Sequence, residues 1–162
     1  MCKQYMVDYK SPIGMIEIGG SNEVIFSILF SDKTEIQNKI NGETPNVIKE
    51  CYKQLDEYFN GQRMEFNIPS LATGTTFQKE VWNALTSIPY AKTSSYKDIA
   101  AVIGNEKAVR AVGTANSKNQ LSIIVPCHRI IGANGKLTGY AGGLWRKEWL
   151  LNHERNQLKK KL

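Results

Sequence analysis

Cys127 and His128 stand side by side in the run Val125-Pro126-Cys127-His128-Arg129, and they are the chain's best candidates for covalent chemistry. A free thiol with a pKa of about 8.5 is ionised only to a few per cent near neutrality, and burial lowers that fraction. A nucleophilic cysteine therefore needs a base or a positive field, and His128 is the obvious base. Adjacent residues of an extended segment point to opposite faces. Communication between this pair would need a bridging water or a turn at Pro126, and a carboxylate should orient the imidazole. The bland alternative is a buried cysteine beside a surface histidine, and for an arbitrary Cys-His dipeptide it prevails.

Other chemistries fare worse. The histidines, His128 and His153, lie at no metal-ligand spacing with the cysteines or carboxylates, so no metal is expected. Cys2, Cys51 and Cys127 are odd in number and lack C-x-x-C spacing, which argues against a disulfide framework and a zinc ribbon. Gly135-Lys136 does not end a phosphate loop, because Ile130 stands where glycine is needed and Leu137 where Ser or Thr is needed. The stretch TGYAGG from Thr138 lacks the G-x-G pair of a dinucleotide fingerprint, and no cofactor is expected.

The elements that must position the dyad read as two lobes. Strand-like alternation in YMVDY, MIEIG and EVIFSILF, punctuated by Ser11-Pro12-Ile13-Gly14 and Gly19-Gly20-Ser21-Asn22, predicts an antiparallel meander. From Pro45 to about Asn60, Ile48, Cys51, Tyr52, Leu55, Tyr58 and Phe59 recur at helical spacing, with Thr44 as N-cap and Gly61 beyond the end. Cys51 then fills a core. An extended piece, MEFNIP, leads to a linker over Ser70 to Gly74, which divides an N-terminal lobe of residues 1–72 from a C-terminal lobe of residues 73–162.

The second lobe reads as helices. Thr75 and Gln78 form a capping box before Phe77, Val81, Trp82, Leu85 and Ile88, and Pro89 stops that helix. Ser95 and Asp98 open a helix ending at Gly104, and another runs from about Glu106 to Asn116, the pair resembling a helix-turn-helix whose second member carries Lys107 and Arg110. The apolar run Leu121 to Val125 enters the Cys-His segment, a Gly-rich stretch follows, and the amphipathic helix LWRKEWLLNHE precedes a basic tail, NQLKKKL, expected to be frayed and solvated.

Charge divides with the lobes. Residues 1–72 hold 7 Lys+Arg against 10 Asp+Glu, net −3, whereas residues 73–162 hold 14 against 5, net +9. A basic lobe suits a polyanion through counterion release, though a merely solvated basic face would look the same. With 162 residues the chain suffices for one compact domain or two small lobes. It has no apolar run long enough to cross a bilayer, and MCKQYMVDYK lacks a secretory pattern, so a cytoplasmic or nucleoid-associated protein with reduced thiols is expected.

The segment IVPCHRIIG, with GYAGGLWRKEWLLNHE downstream, closely resembles the methylated-DNA–protein-cysteine methyltransferases, also called O6-alkylguanine-DNA alkyltransferases. Proline-Cys-His-Arg after an aliphatic run is highly specific to them. The likeness extends to GTTFQKEVWNAL, IPYAKTSSYKDIA and KAVRAVGTANSKN, nearly all of residues 74–154, while the N-terminal lobe matches only in architecture and in pieces such as SPIG.

The resemblance implies an α+β protein, with a small ribonuclease-H-like lobe of antiparallel sheet plus helix, then a helical lobe with a winged helix-turn-helix. It implies that Cys127 accepts the alkyl group, that His128 acts as base through a water, and that Glu154 orients His128. Asn119 braces the active-site turn, Tyr96 hydrogen-bonds the leaving guanine, and Arg110 fills the gap left by the flipped nucleotide. Tyr140 and Ala141 close over the base, and Arg129, Ile130 and Lys147 count among the substrate- or DNA-binding residues. Many relatives have Ser at position 141, but the implied contact uses the peptide N–H, so Ala is tolerated. Some relatives carry an N-terminal zinc site whose histidines are missing here. The implied partner is double-stranded DNA containing O6-alkylguanine, entered through the minor groove by a monomer, with O4-alkylthymine as a second substrate.

The implied reaction is DNA repair by irreversible, single-turnover alkyl transfer, a suicide stoichiometry. Base extrusion follows from geometry, since a buried thiolate cannot reach O6 within a stacked duplex. The rivals are a turning-over Cys-His hydrolase or transferase, a DNA-binding protein without chemistry, and a transcriptional sensor. Relatives that only bind damage typically have Trp at the acceptor position, where this chain has Cys127, and a sensor's additional domain is not expected within 162 residues.

Overall fold

A computed structural model describes residues 3–162, so Cys2 lies outside the described residues. The chain divides into two compact units, Met1–Ala72 and Thr73–Leu162.

In the first unit, β1 (Tyr5–Ser11), β2 (Gly14–Gly20) and β3 (Ile25–Ser31) form an antiparallel sheet in the order β1-β2-β3, with Val7 opposite Ile18 and Ile18 opposite Ile28. This is the expected meander. Helix α1 (Asn46–Phe59) covers one face, burying Ile48, Cys51, Leu55, Tyr58 and Phe59. Tyr9 joins sheet to helix: its ring meets Tyr52 edge-on at 5.1 Å and its hydroxyl donates to Asp56 at 3.0 Å. Buried Asp8 instead receives the Gln37 and Asn38 N–H groups, each at 2.9 Å, and Lys33 at 3.1 Å, which ties down the segment after β3.

One expectation for this unit changes. The N-cap of α1 is Pro45, whose carbonyl accepts from Ile48 and Lys49, while Thr44 turns its hydroxyl to the Asn41 N–H. Proline has no N–H to satisfy, so it enters a helix start at little cost. The piece MEFNIP joins no regular strand, and just beyond it Ser70 bridges to Ile25. There the Gln54 side chain takes the bonds a strand partner would have supplied, accepting from Asn67 N–H and donating to its carbonyl.

The second unit holds α2 (Thr76–Leu85), β4 (Ser94–Ser95), α3 (Tyr96–Val102), α4 (Val109–Ser117), a 3₁₀ turn (Cys127–Arg129), β5 (Ile130–Ile131) and α5 (Leu144–Lys161). Both capping boxes form, Thr75 with Gln78 and Ser95 with Asp98. Helix α3 ends where Gly104 adopts φ of 76°, a left-handed conformation that favours glycine. Helix α4 starts at Val109 rather than near Glu106, because Ala108 N–H closes a turn onto the Asn105 carbonyl first. Trp82 locks α2 to α4, donating its indole N–H to the Ala115 carbonyl at 2.8 Å.

The expected frayed tail is helical instead. Helix α5 runs through NQLKKK, and the lysines at its end lie where the helix dipole favours cations. Among the described residues, no helix is long and apolar enough to cross a membrane.

Candidate active site

The dyad sits on a turn, not on an extended strand. Arg129 N–H donates to the Pro126 carbonyl at 2.9 Å, which winds Cys127–Arg129 into one 3₁₀ turn, and Cys127 N–H donates to the Val125 carbonyl at 2.8 Å across a tighter turn just before it. Successive side chains there diverge by about 120°, so neighbours in sequence serve different partners. Just upstream, buried Ile123 has φ of 74°, a strained value for a β-branched residue.

Asn119 ties this turn together. Its Nδ2 donates to the Val125 carbonyl at 2.9 Å and to Cys127 Sγ at 3.1 Å, and its Oδ1 accepts from Leu121 N–H. Cys127 is 4% exposed, and burial raises its thiol pKa, opposed by the Asn119 hydrogen bond and the Lys147 charge. The protein buries the sulfur, while Asn119, Lys147, the turn's own backbone and the Tyr140 hydroxyl favour its ionised form.

His128 and Glu154 are both fully buried, with Nε2 and Oε2 2.6 Å apart. Burial pushes the His128 pKa down while Glu154 pulls it up, and the net direction is down. Burial alone would raise Glu154, yet His128 and Arg129 hold its carboxyl well below the usual range. An ionised carboxylate only accepts, so Nε2 carries the hydrogen and Nδ1 keeps the lone pair. That Nδ1 is buried and has no hydrogen-bond partner among the described residues. The imidazole is a fixed base with one free acceptor site.

Arg129 is buried: Nε donates to Glu154 Oε1 at 2.9 Å, one terminal nitrogen to Oε2 at 3.1 Å, and the other to the Ile88 carbonyl at 2.7 Å. A buried guanidinium persists only when paired in this way. Ile130 is likewise fully buried, in β5 beside β4. Lys147 too is buried, its Nζ donating to the Thr138 carbonyl at 3.2 Å. Burial lowers its pKa to about 8, with Cys127 pulling the other way.

Tyr96 opens α3, and its hydroxyl lies 2.5 Å from Thr138 Oγ1. Its ring faces α4, where a Cβ at Gly113 would stand 3.6 Å away. Tyr140 lies in the Gly-rich stretch; burial raises its hydroxyl pKa well above the ordinary value, eased by a hydrogen bond with Ser122. Arg110, on α4, and Ala141 are exposed, and their side chains take no part in the hydrogen bonds of the buried cluster. Among the described residues, no group of three or more His, Cys, Asp or Glu could hold a metal.

Sequence reasoning missed the backbone around Glu154. Ala91 N–H donates to Oε1 at 3.0 Å from a residue with φ of 63°, and the Ile88 carbonyl anchors Arg129. Neither group leaves a side-chain signature. Thr138 was also missed, although it stands between Leu137 and Gly139 as the one aliphatic hydroxyl in the stretch GKLTGYAGG.

The fold is thus an α+β chain of two units, the second holding a buried array of Cys127 and His128 on the 3₁₀ turn and Glu154 on α5. Comparison with known proteins narrows this. Residues 76–156 match the family model for the DNA-binding domain of 6-O-methylguanine DNA methyltransferase, and residues 5–71 that for its ribonuclease-like domain. The methylated-DNA–protein-cysteine methyltransferase of Methanosarcina acetivorans is 48% identical over 93% of this chain and 97% of its own. The constitutive Bacillus subtilis enzyme of that name is 46% identical over 97% and 99%. The crystal structure of Mycobacterium tuberculosis O6-methylguanine methyltransferase superposes with a TM-score of 0.84 at 40% identity, covering 96% of this chain and 94% of that one. A structure of the M. tuberculosis protein in complex with DNA gives 0.83 at 42% identity, covering 95% and 93%. The chain belongs to the methylated-DNA–protein-cysteine methyltransferase family.

Proposed function

We propose that this protein repairs DNA by moving the alkyl group of O6-alkylguanine, and of O4-alkylthymine, onto Cys127. The single observation that carries this reading is the buried array in which Asn119 bonds the Cys127 sulfur and Glu154 fixes the His128 ring. Nδ1 of His128 takes the thiol proton through a bridging water, and the Glu154 carboxylate stabilises the resulting imidazolium. Lys147 adds a positive charge that favours the thiolate. Arg129 and the Ala91 N–H act as positioning groups that hold the Glu154 carboxylate in register with the imidazole.

The thiolate then attacks the alkyl carbon in line. The S–C bond forms, the C–O6 bond breaks, and its electron pair stays with guanine, where the Tyr96 hydroxyl meets the developing charge. A nearly buried sulfur requires the base to come to it, so the nucleotide is flipped out of the duplex. Exposed Arg110 on α4 enters through the minor groove and fills the gap, while Tyr140 and the backbone at Ala141 close over the base. The thioether has no ready leaving path, so each chain, acting as a monomer in the cytoplasm, reacts once.

Intact-protein mass after incubation with a duplex containing one O6-methylguanine tests this reading. The expected result is a gain of one methyl, saturating at one per chain, and no gain in Cys127→Ser. Methyl release with multiple turnovers would favour a hydrolase. Unmodified protein bound to the lesion would favour damage binding without chemistry.

A further inference from the structure

Thr138 belongs to none of the roles assigned above, yet it touches two of the groups that hold them. Its Oγ1 lies 2.5 Å from the Tyr96 hydroxyl, and its carbonyl accepts from Lys147 Nζ at 3.2 Å. Both anchors are fixed independently of Thr138. Tyr96 is the first residue of α3, held by the Ser95–Asp98 capping box and by parallel pairing of β4 with β5, and Lys147 sits on α5. The stretch between β5 and α5 therefore returns to the site through this residue.

The direction of the Thr138–Tyr96 hydrogen bond decides what Tyr96 can do. If Tyr96 donates, its only proton is spent on Thr138 and none remains for a leaving base. If Thr138 donates, Tyr96 accepts, its own proton is free, and accepting one hydrogen bond strengthens the next that it donates. Building on the alkyl-transfer reading above, we infer that Thr138 is a positioning residue: its hydroxyl donates to the Tyr96 oxygen, so that Tyr96 donates to guanine as the C–O6 bond breaks. Thr138 gives up no proton in the step. The electron pair left on guanine is stabilised by the chain Thr138 to Tyr96 to base.

Thr138→Val keeps the shape and the backbone contact to Lys147 while removing the hydroxyl, and Thr138→Ser restores the hydroxyl. The single-turnover rate of methyl uptake and the affinity for lesion DNA are measured for both, for Tyr96→Phe, and for the Tyr96→Phe/Thr138→Val pair. Thr138→Val is expected to slow transfer about tenfold at unchanged DNA affinity, with Thr138→Ser within about twofold of the parent. In the Tyr96→Phe background, Thr138→Val should add nothing. Parental rates in Thr138→Val, failure of Ser to rescue, or multiplicative effects in the pair would each overturn the inference while leaving alkyl transfer to Cys127 intact. Absence of methyl uptake in the parent chain would overturn the alkyl-transfer reading itself, and this inference with it.

Discussion

Glu154 keeps its charge at full burial because Ala91 N–H, two Arg129 donors and His128 converge on its two oxygens. That arrangement makes it a stability group as well as a site residue. Its folded pKa lies below the value of 4.5 for a free carboxyl, so between the two the unfolded chain binds more protons. The stabilisation is fully present above about pH 5 and is lost as pH falls toward the folded value. Glu154→Gln should remove this acid-sensitive part and strand Arg129 as a buried cation, at a cost of about 3 kcal/mol. Urea unfolding across the acid range checks both parts; a parental acid limb in the variant would show that other carboxylates, such as buried Asp8, dominate. Lys147 acts in the opposite sense on Cys127, because a cation nearby lowers a thiol pKa. Lys147→Met should therefore move thiolate formation to higher pH and slow alkylation of Cys127 by a small electrophile about tenfold near pH 7. Unchanged reactivity would remove Lys147 from the field at the sulfur. At this scale the sequence was most legible where chemistry is contiguous, as in Cys127-His128-Arg129. Glu154, 26 residues from His128, was reached only through family likeness, and the Arg129 clamp on it was not legible because no local pattern tells a buried arginine from an exposed one.

Elements place these residues through their ends. The capping boxes at Thr75 and Ser95 were legible because each is a local contract between side chains and backbone three residues apart. The start of α4 and the continuation of α5 into the tail were not: turn closure at Asn105 delays the first, and the packed turns of α5 nucleate a helix that the good helix formers Gln157, Leu158 and the lysines then prolong. The segment between α2 and β4 shows the same competition. Ala91 holds φ of 63° there because its N–H is engaged by Glu154, and an alanine pays about 1 kcal/mol for a left-handed conformation. Ala91→Gly removes that penalty, offset in part by the greater freedom of glycine in the unfolded chain. The expected net gain is about 0.5 kcal/mol in thermal or urea unfolding, with methyl uptake at the parental rate. A loss of stability would mean that the alanine methyl makes contacts worth more than the strain.

Across the whole molecule, charge is sorted by unit. Residues 73–162 carry net +9 and residues 1–72 net −3, so a polyanion is drawn to the unit that holds Cys127. Within that unit α4 is flanked by exposed Lys107 and Lys118, carries exposed Val109 and Arg110 in its first turn, and beyond them shows small side chains at Ala111, Gly113 and Thr114. Small residues let the helix backbone approach a groove wall, and the flanking lysines then lie where phosphates run. Each phosphate neutralised steepens the fall of log K with log salt by about 0.9. Lys107→Gln with Lys118→Gln should therefore lower the magnitude of that slope by nearly 2, measured on undamaged and lesion duplexes alike. At saturating DNA the rate of methyl uptake should stay parental, because neither lysine belongs to the hydrogen-bonded cluster around Cys127. An unchanged slope would move the DNA-facing surface off α4 and, with it, the role given to Arg110.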